Sequence, residues 1–425
     1  MILNEHRKDL LGFTYLSLVG CIALGFLHRT TLGALTGVLF FHRTPGGFAF
    51  NDYVAFYTAG KIVLSNMRSA IYDPAVQIDF YNKTIAPWTN GQIVKEIPLG
   101  QSVPWFFTLM APFATMPLAI SFAVWNLIGG GLSMLGLWAL LKQNGHDARF
   151  IRIFLIGMLG CYPVEWLIRD GQNSWLLLAP FCLYLYGWFA KKDFPGGAGL
   201  ACLIIKPQYL VCMAIPAIAC RRWKLLASAV TVATVHMLLA WKVFGTNTLI
   251  AYPSMLRSTE SSNPAVFPSW MISLRGPMTI LLGKEKALVV ATAIYAIALL
   301  ALFAFWWLSA AKASETKTRI AFAITVLACL ITSPHTHIYD FVIFAAAAAC
   351  SLQAVEWFKA NELPKWSRTW SHLLILLPFS TFMLYIVTDK IPLGEIVGLW
   401  MLITDIWLFV VACRWYATPD AAQTT

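Results

Sequence analysis

The sequence predicts an all-α polytopic membrane protein, one bundle over residues 1–425 with about 11–13 transmembrane or re-entrant helices. Three observations carry this. The chain is 59% hydrophobic and only 12% charged, its apolar residues fall in long runs rather than stripes, and Lys and Arg gather in the short connectors between those runs. No internal repeat or low-complexity tract divides it. The formal charge of +11 could suit a polyanion, but cations spread over connectors form no patch that reads nucleic acid. The nine cysteines lie in apolar runs without metal-ligand spacing and read as small core residues.

The segments follow in order. The stretch 1-MILNEHRKDL-10 leads into 11-LGFTYLSLVGCIALGFL-27, which lacks a small-x-small cleavage signal and reads as a retained first helix. With His6, Arg7 and Lys8 inside, residues 42–102 form a long external loop. Within it, 52-DYVAFYTAGKIVLSNM-67 carries Tyr53, Phe56, Tyr57, Gly60 and Leu64 at helical spacing, so an amphipathic helix lying on the membrane surface and capped by Asp52 is expected. Asp73-Pro74 marks a turn and a second helix start. Next, 103-VPWFFTLMAPFATMPL-118 is short and broken by Pro104, Pro112 and Pro117, which predicts a bent or re-entrant element.

The runs 118–141, 287–308 and 394–413 each supply the roughly 20 residues that cross a bilayer. Between them, 196-GGAGLACLIIKPQYLVCMAIPAIAC-220 reads as a hairpin of two short helices with Lys206-Pro207 at its tip. One alternation puts the basic connectors inside: Lys142 with Arg149, Lys191 with Lys192, Arg221 with Arg222 and Lys224, 312-KASETKTR-319, Lys359 with Lys365 and Arg368, and Arg414. Trp88, Trp105, Trp166, Trp175 and Trp270 fall near outer boundaries and read mainly as an aromatic belt.

That alternation sends the unusual polar groups to one side: 51-NDYVAFYTAG-60, 169-RDGQN-173, the hairpin tip at Lys206, a second loop over 245–286, and 333-SPHTHIYDF-341. Ionisable groups at membrane depth face water-filled sites or each other, so a shared cavity is expected. Each group also has a plainer reading. Asp52 reads locally as a helix cap; His335 and His337 could cap the end of a membrane helix; Asp340 could orient a histidine through a hydrogen bond. Lys206 could snorkel to an interface; Arg169 with Asp170 could be a surface pair at a helix end; Gln172 and Asn173 could finish a turn.

In this order 51-NDYVAFYTAGKIV-63 with 70-AIYDP-74, 111-APFATMPLA-119 with Trp125, 169-RDGQNSWLLL-178 with 199-GLACLIIKPQYL-210, and 332-TSPHTHIYDFVIF-344 resemble the polytopic glycosyltransferases of the GT-C superfamily, most closely glycosyltransferase family 87. The resemblance spans about residues 50–345, although the usual tyrosine-proline-proline appears only as 103-VPW-105. It implies a bacterial inner-membrane enzyme that moves a sugar, mannose by family, from a polyprenyl-phosphate donor to a lipid or glycan acceptor at the periplasmic face. It further implies an inverting reaction with Asp52 as general base and His337, His335, Lys206 and Arg169 toward the donor phosphate. Asp340, Gln172, Asn173 and Tyr57 would support the site or the sugar. No cofactor is implied, and with a single phosphate and no DxD tripeptide no metal is expected. The competing expectations are a lipid or sugar transporter or flippase, which would distribute ionisable groups through the membrane, and a lipid-sugar ligase or polymerase with a diphosphate donor, which would need more cations.

Overall fold

The structure, a computed structural model, describes residues 41–44, 47–50, 52–89, 91–94, 100, 102–159, 162–262, 271–355 and 394–417. The expected first helix over 11–27 and the connector with Lys359, Lys365 and Arg368 lie outside the described residues. The chain is an all-α polytopic membrane protein. Two short strands, β1 (Phe41–Thr44) and β2 (Gly47–Phe50), add an antiparallel hairpin that pairs Phe41 with Phe50 and Thr44 with Gly47. The two residues between the strands, Pro45-Gly46, are a turn signal.

The helices are α1 (Asp52–Val63), α2 (Pro74–Thr89), α3 (Pro104–Met110), α4 (Leu118–Gln143), α5 (Ala148–Leu159), α6 (Tyr162–Asp170), α7 (Trp175–Phe189) and α8 (Asp193–Cys202). They continue with α9 (Pro207–Ala219), α10 (Trp223–Phe244), α11 (Thr246–Ser262), α12 (Arg275–Leu282), α13 (Lys284–Leu308), α14 (Glu315–Thr332), α15 (Phe344–Val355) and α16 (Gly394–Ala417). Among the described residues, three stretches, Leu118–Gln143, Trp223–Phe244 and Lys284–Lys312, are long and apolar enough to cross a membrane unaided. Their flanks stay open to lipid, as Leu127, Leu238 and Leu300 show by their exposure.

Two apolar clusters organise the interior. The larger joins α4, α7, α8, α9, α14, α15 and α16. Small residues let its helices approach closely, and a methyl group on Gly187 would sit 2.3 Å from the backbone nitrogen of Gly196. The smaller cluster gathers α1, α2 and α3 over the start of α4 and the end of α10. Here one expectation fails. The helix α1 stops at Val63 and buries ten of its 12 residues on all sides; it is an internal helix, not an amphipathic one lying on a surface. Its packing explains why, since α2 and α3 cover it and Gly60 presses on the carbonyl of Met110, where a Cβ would come within 2.6 Å. One-sided burial belongs to α2, which buries Gln77, Tyr81, Ile85 and Thr89 at a spacing of four.

The proline-broken segment is bent, as α3 gives way to a 3₁₀ turn over Phe113–Thr115 before α4 begins. The short hairpin is also present: α8 ends in a 3₁₀ turn over Leu203–Ile205, Lys206 is extended, and Pro207 starts α9. The aromatic belt needs correction. Trp105, Trp166 and Trp175 are buried in protein, and Trp175 packs on Gly129 while its indole donates to Asn126 at 3.1 Å.

Candidate functional site

The polar groups meet at the seam of the two clusters. Asp52, at the first turn of α1, comes from the smaller one; Gln172, Lys206 and Asp340 are carried by breaks in the larger bundle. Each break has a local cause. The turn after α6 depends on Gly171, whose φ of 60° suits glycine; Lys206 precedes a proline, which keeps it extended; and Pro334 interrupts the chain after α14.

Asp52 is the first helical residue rather than the flanking cap, a one-residue difference within the ordinary uncertainty of helix ends. Its carboxylate accepts a hydrogen bond from the side-chain amide of Gln172. Burial pushes the Asp52 carboxyl above its ordinary range, while the Gln172 bond and the nearby charges of Lys206 and His335 pull the other way. The same burial and the charge of Asp52 push the Tyr81 hydroxyl up from α2, which marks Tyr81 as a neighbour.

Asp340 is fully buried in a 3₁₀ turn over Ile338–Ile343. One carboxylate oxygen accepts from Lys206 Nζ at 2.5 Å and from Ser174 Oγ at 2.6 Å. The other accepts from the backbone N–H of His337 at 3.2 Å. Asp340 thus forms a reciprocal capping pair with His337 at the start of the 3₁₀ turn, and it also holds Lys206. The lysine side chain keeps 11% of its surface and lies over the ring of Tyr339 at 5.0 Å. Its ammonium is paired with Asp340, and its charge also lowers the proton affinity of Asp52.

The imidazoles of His335 and His337 stand edge to face with centroids 4.8 Å apart, and His337 stacks on Tyr339 at 5.4 Å. His335 is half-buried and His337 buried. Asn173 is buried beside Gln172, and its side-chain carbonyl has no hydrogen-bond partner. One candidate is committed elsewhere: the Tyr57 hydroxyl donates to the carbonyl of Met116 at 2.8 Å. Arg169 is on α6, and its side chain lies outside the described residues. Among the described residues, no group of three or more His, Cys, Asp or Glu converges as a metal site.

Sequence reasoning missed Ser174, Tyr339, Gln208 and Arg275. Ser174 and Tyr339 sit inside segments already singled out, where a census of every polar residue would have found them. Gln208 follows Lys206-Pro207 and donates to the carbonyl of His335 at 2.9 Å. Arg275 had no local signal, being a lone arginine in the second long loop.

Chemically, the seam offers a half-buried carboxylate with raised proton affinity, two adjacent imidazoles, a lysine paired with a buried carboxylate, and an orphan amide carbonyl. Such a set can take a proton from a hydroxyl and receive an anion. In comparison with known proteins, the model of glycosyltransferase family 87 matches residues 103–334, a span that holds Gln172, Asn173 and Lys206, stops just before His335, and leaves Asp52 outside. No curated protein and no solved structure matches the chain.

Proposed function

The chain belongs to glycosyltransferase family 87, and from this premise we propose that it transfers a sugar from a polyprenyl-phosphate donor to a hydroxyl of a lipid or glycan acceptor at the outer face of the bacterial inner membrane. The observation that carries the reading is Asp52, a carboxylate of raised proton affinity held by Gln172 within reach of the Lys206 and His335 charges.

Asp52 takes the proton as the acceptor oxygen attacks the anomeric carbon. The bond from that carbon to the phosphate oxygen breaks, and its electron pair leaves with the lipid phosphate. A general base works best when its proton affinity approaches the operating pH, and burial moves Asp52 that way. The growing phosphate charge falls to His335 and His337, whose stabilisation matters most in the transition state. Lys206 contributes from its Asp340 pair, and Arg169 is a further phosphate contact on this reading. A second carboxylate nucleophile would permit retention, but both Asp340 oxygens are already committed to hydrogen bonds. A single displacement with inversion is therefore favoured. Asn173, with its unpartnered carbonyl, suits a sugar hydroxyl; mannose is the sugar that the family suggests.

The test is purified protein with radiolabelled polyprenyl-phosphate mannose, other polyprenyl-phosphate hexoses and membrane lipid extract. Label moving into lipid or glycan, with inverted anomeric configuration, is expected. Label that only crosses a vesicle membrane would make the protein a transporter and sink the proposal.

A further inference from the structure

The histidine segment 334–337 is fastened by parts of the chain far away in sequence. Arg275, 1% exposed at the start of α12, donates from a guanidinium nitrogen to the carbonyl of Pro334 at 2.8 Å. Gln208 takes the carbonyl of His335, and the backbone N–H of Ile272 donates to that of Thr336 at 3.2 Å. Met271 and His337 form an antiparallel bridge, and Leu274 N–H donates to Ile331 at 2.8 Å. Three successive carbonyls thus each have a donor from outside the segment. Only one of those donors is a charged side chain, and a charge-assisted bond is roughly twice as strong as a neutral one.

We propose that Arg275 is a positioning residue that sets His335 and His337 for the donor phosphate through its bond to Pro334. This rests on the glycosyltransferase reading above. The physical ground is that a charged donor buried with its acceptor holds the backbone it bonds more firmly than a neutral one, and a guanidinium nitrogen of Arg275 holds the backbone that carries the two imidazoles. Losing the bond frees the segment at Pro334, one residue before His335. Misplacement of a catalytic group by about 1 Å costs on the order of a hundredfold in rate. The acceptor, deprotonated on the Asp52 side, does not depend on that bond.

The experiment compares Arg275→Met, Arg275→Gln and Arg275→Lys with wild type, each purified as the full chain in lipid nanodiscs. Readouts are kcat, KM for donor and acceptor, thermal midpoint, and binding of sugar-free polyprenyl phosphate. Arg275→Met is expected to lose about tenfold or more in kcat and in binding of the sugar-free lipid, with acceptor KM within about twofold. Arg275→Lys and Arg275→Gln, which both keep a donor toward Pro334, should recover much of the loss. Recovery by Lys alone would mean that charge, not position, matters and would overturn the proposal. So would wild-type behaviour of Arg275→Met, or equal losses in every parameter together with a lower midpoint. If Arg275→Met does not fold, the Gln and Lys variants decide by the same criteria. A wild type that binds sugar-free lipid but transfers no sugar would instead remove the glycosyltransferase reading, leaving the lipid-binding comparison to judge Arg275.

Discussion

Gln172 donates its side-chain amide to Asp52 across a sequence separation of 120 residues, joining the turn after α6 to the first turn of α1. A donor on the carboxylate favours its charged form, so the bond restrains a proton affinity that burial raises. Gln172→Leu should therefore raise the Asp52 pKa further. Because the ionised form is the base, the acid limb of kcat/KM should move to higher pH. A limb that stays in place would show that Asp52 is not the group titrating. Stability runs with the same sign. Between the ordinary and the raised pKa the folded state binds more protons than the unfolded, so stability falls as pH rises through that window, and Asp52→Asn should flatten the trend.

Lys206 and Asp340 form a buried pair, with Asp340 fully covered. Removing one partner of such a pair strands the other charge and costs about 3–5 kcal/mol. Lys206→Met and Asp340→Asn should each lower thermal stability strongly, while the double variant should regain part of the loss. Additive losses, measured by unfolding in detergent, would mean that the two charges are not coupled.

On the proposed mechanism the two imidazoles carry the donor side. His337→Ala, with His335→Ala as the second variant, should cut turnover by about a hundredfold or more while the protein inserts and purifies normally. Near-normal transfer by both would return the pair to an end-of-helix role.

Helix packing gives a separate check. With the Gly187 Cβ position 2.3 Å from the backbone of Gly196, Gly187→Ala must push α7 and α8 apart. Overpacking of this kind costs about 1–3 kcal/mol. A thermal midpoint unchanged in Gly187→Ala would contradict the close approach.

How much of this was legible in the sequence depended on whether the cause was local. The runs 118–141 and 287–308 became α4 and α13 because an apolar stretch of membrane length has few other forms. The prolines at 104, 112 and 207 marked the breaks around α3 and α9 for an equally local reason. The surroundings of α1 were not legible. Tyr53, Phe56 and Tyr57 gave a helical stripe, but whether Val54, Ala55 and Ile62 faced water or protein depended on α2 and α3. Asp52, Gln172, Lys206, His335, His337 and Asp340 could be named individually from the sequence. Their arrangement could not, because the Lys206–Asp340 contact joins positions 134 apart and Arg275 meets Pro334 across 59. No periodicity encodes such distances.

Asp52→Asn separates the two roles open to this residue. Asparagine keeps the size of the side chain and serves at helix starts about as well as aspartate, so a purely structural Asp52 should tolerate the change at a cost of about 1 kcal/mol or less. Its carbonyl can still accept from Gln172, which preserves the link between the clusters. What it loses is the capacity to take a proton. As the base, Asp52 should therefore lose about a hundredfold or more in transfer rate on becoming asparagine. Binding of sugar-free polyprenyl phosphate should persist, because in the proposed mechanism the base acts on the acceptor hydroxyl and the lipid phosphate falls to His335 and His337. Relief from burying a carboxylate should also leave the variant at least as stable as wild type at neutral pH. Transfer rate, lipid binding and thermal midpoint, measured side by side, distinguish the outcomes: a retained rate sinks the catalytic role, and lost lipid binding moves Asp52 from proton acceptor to scaffold.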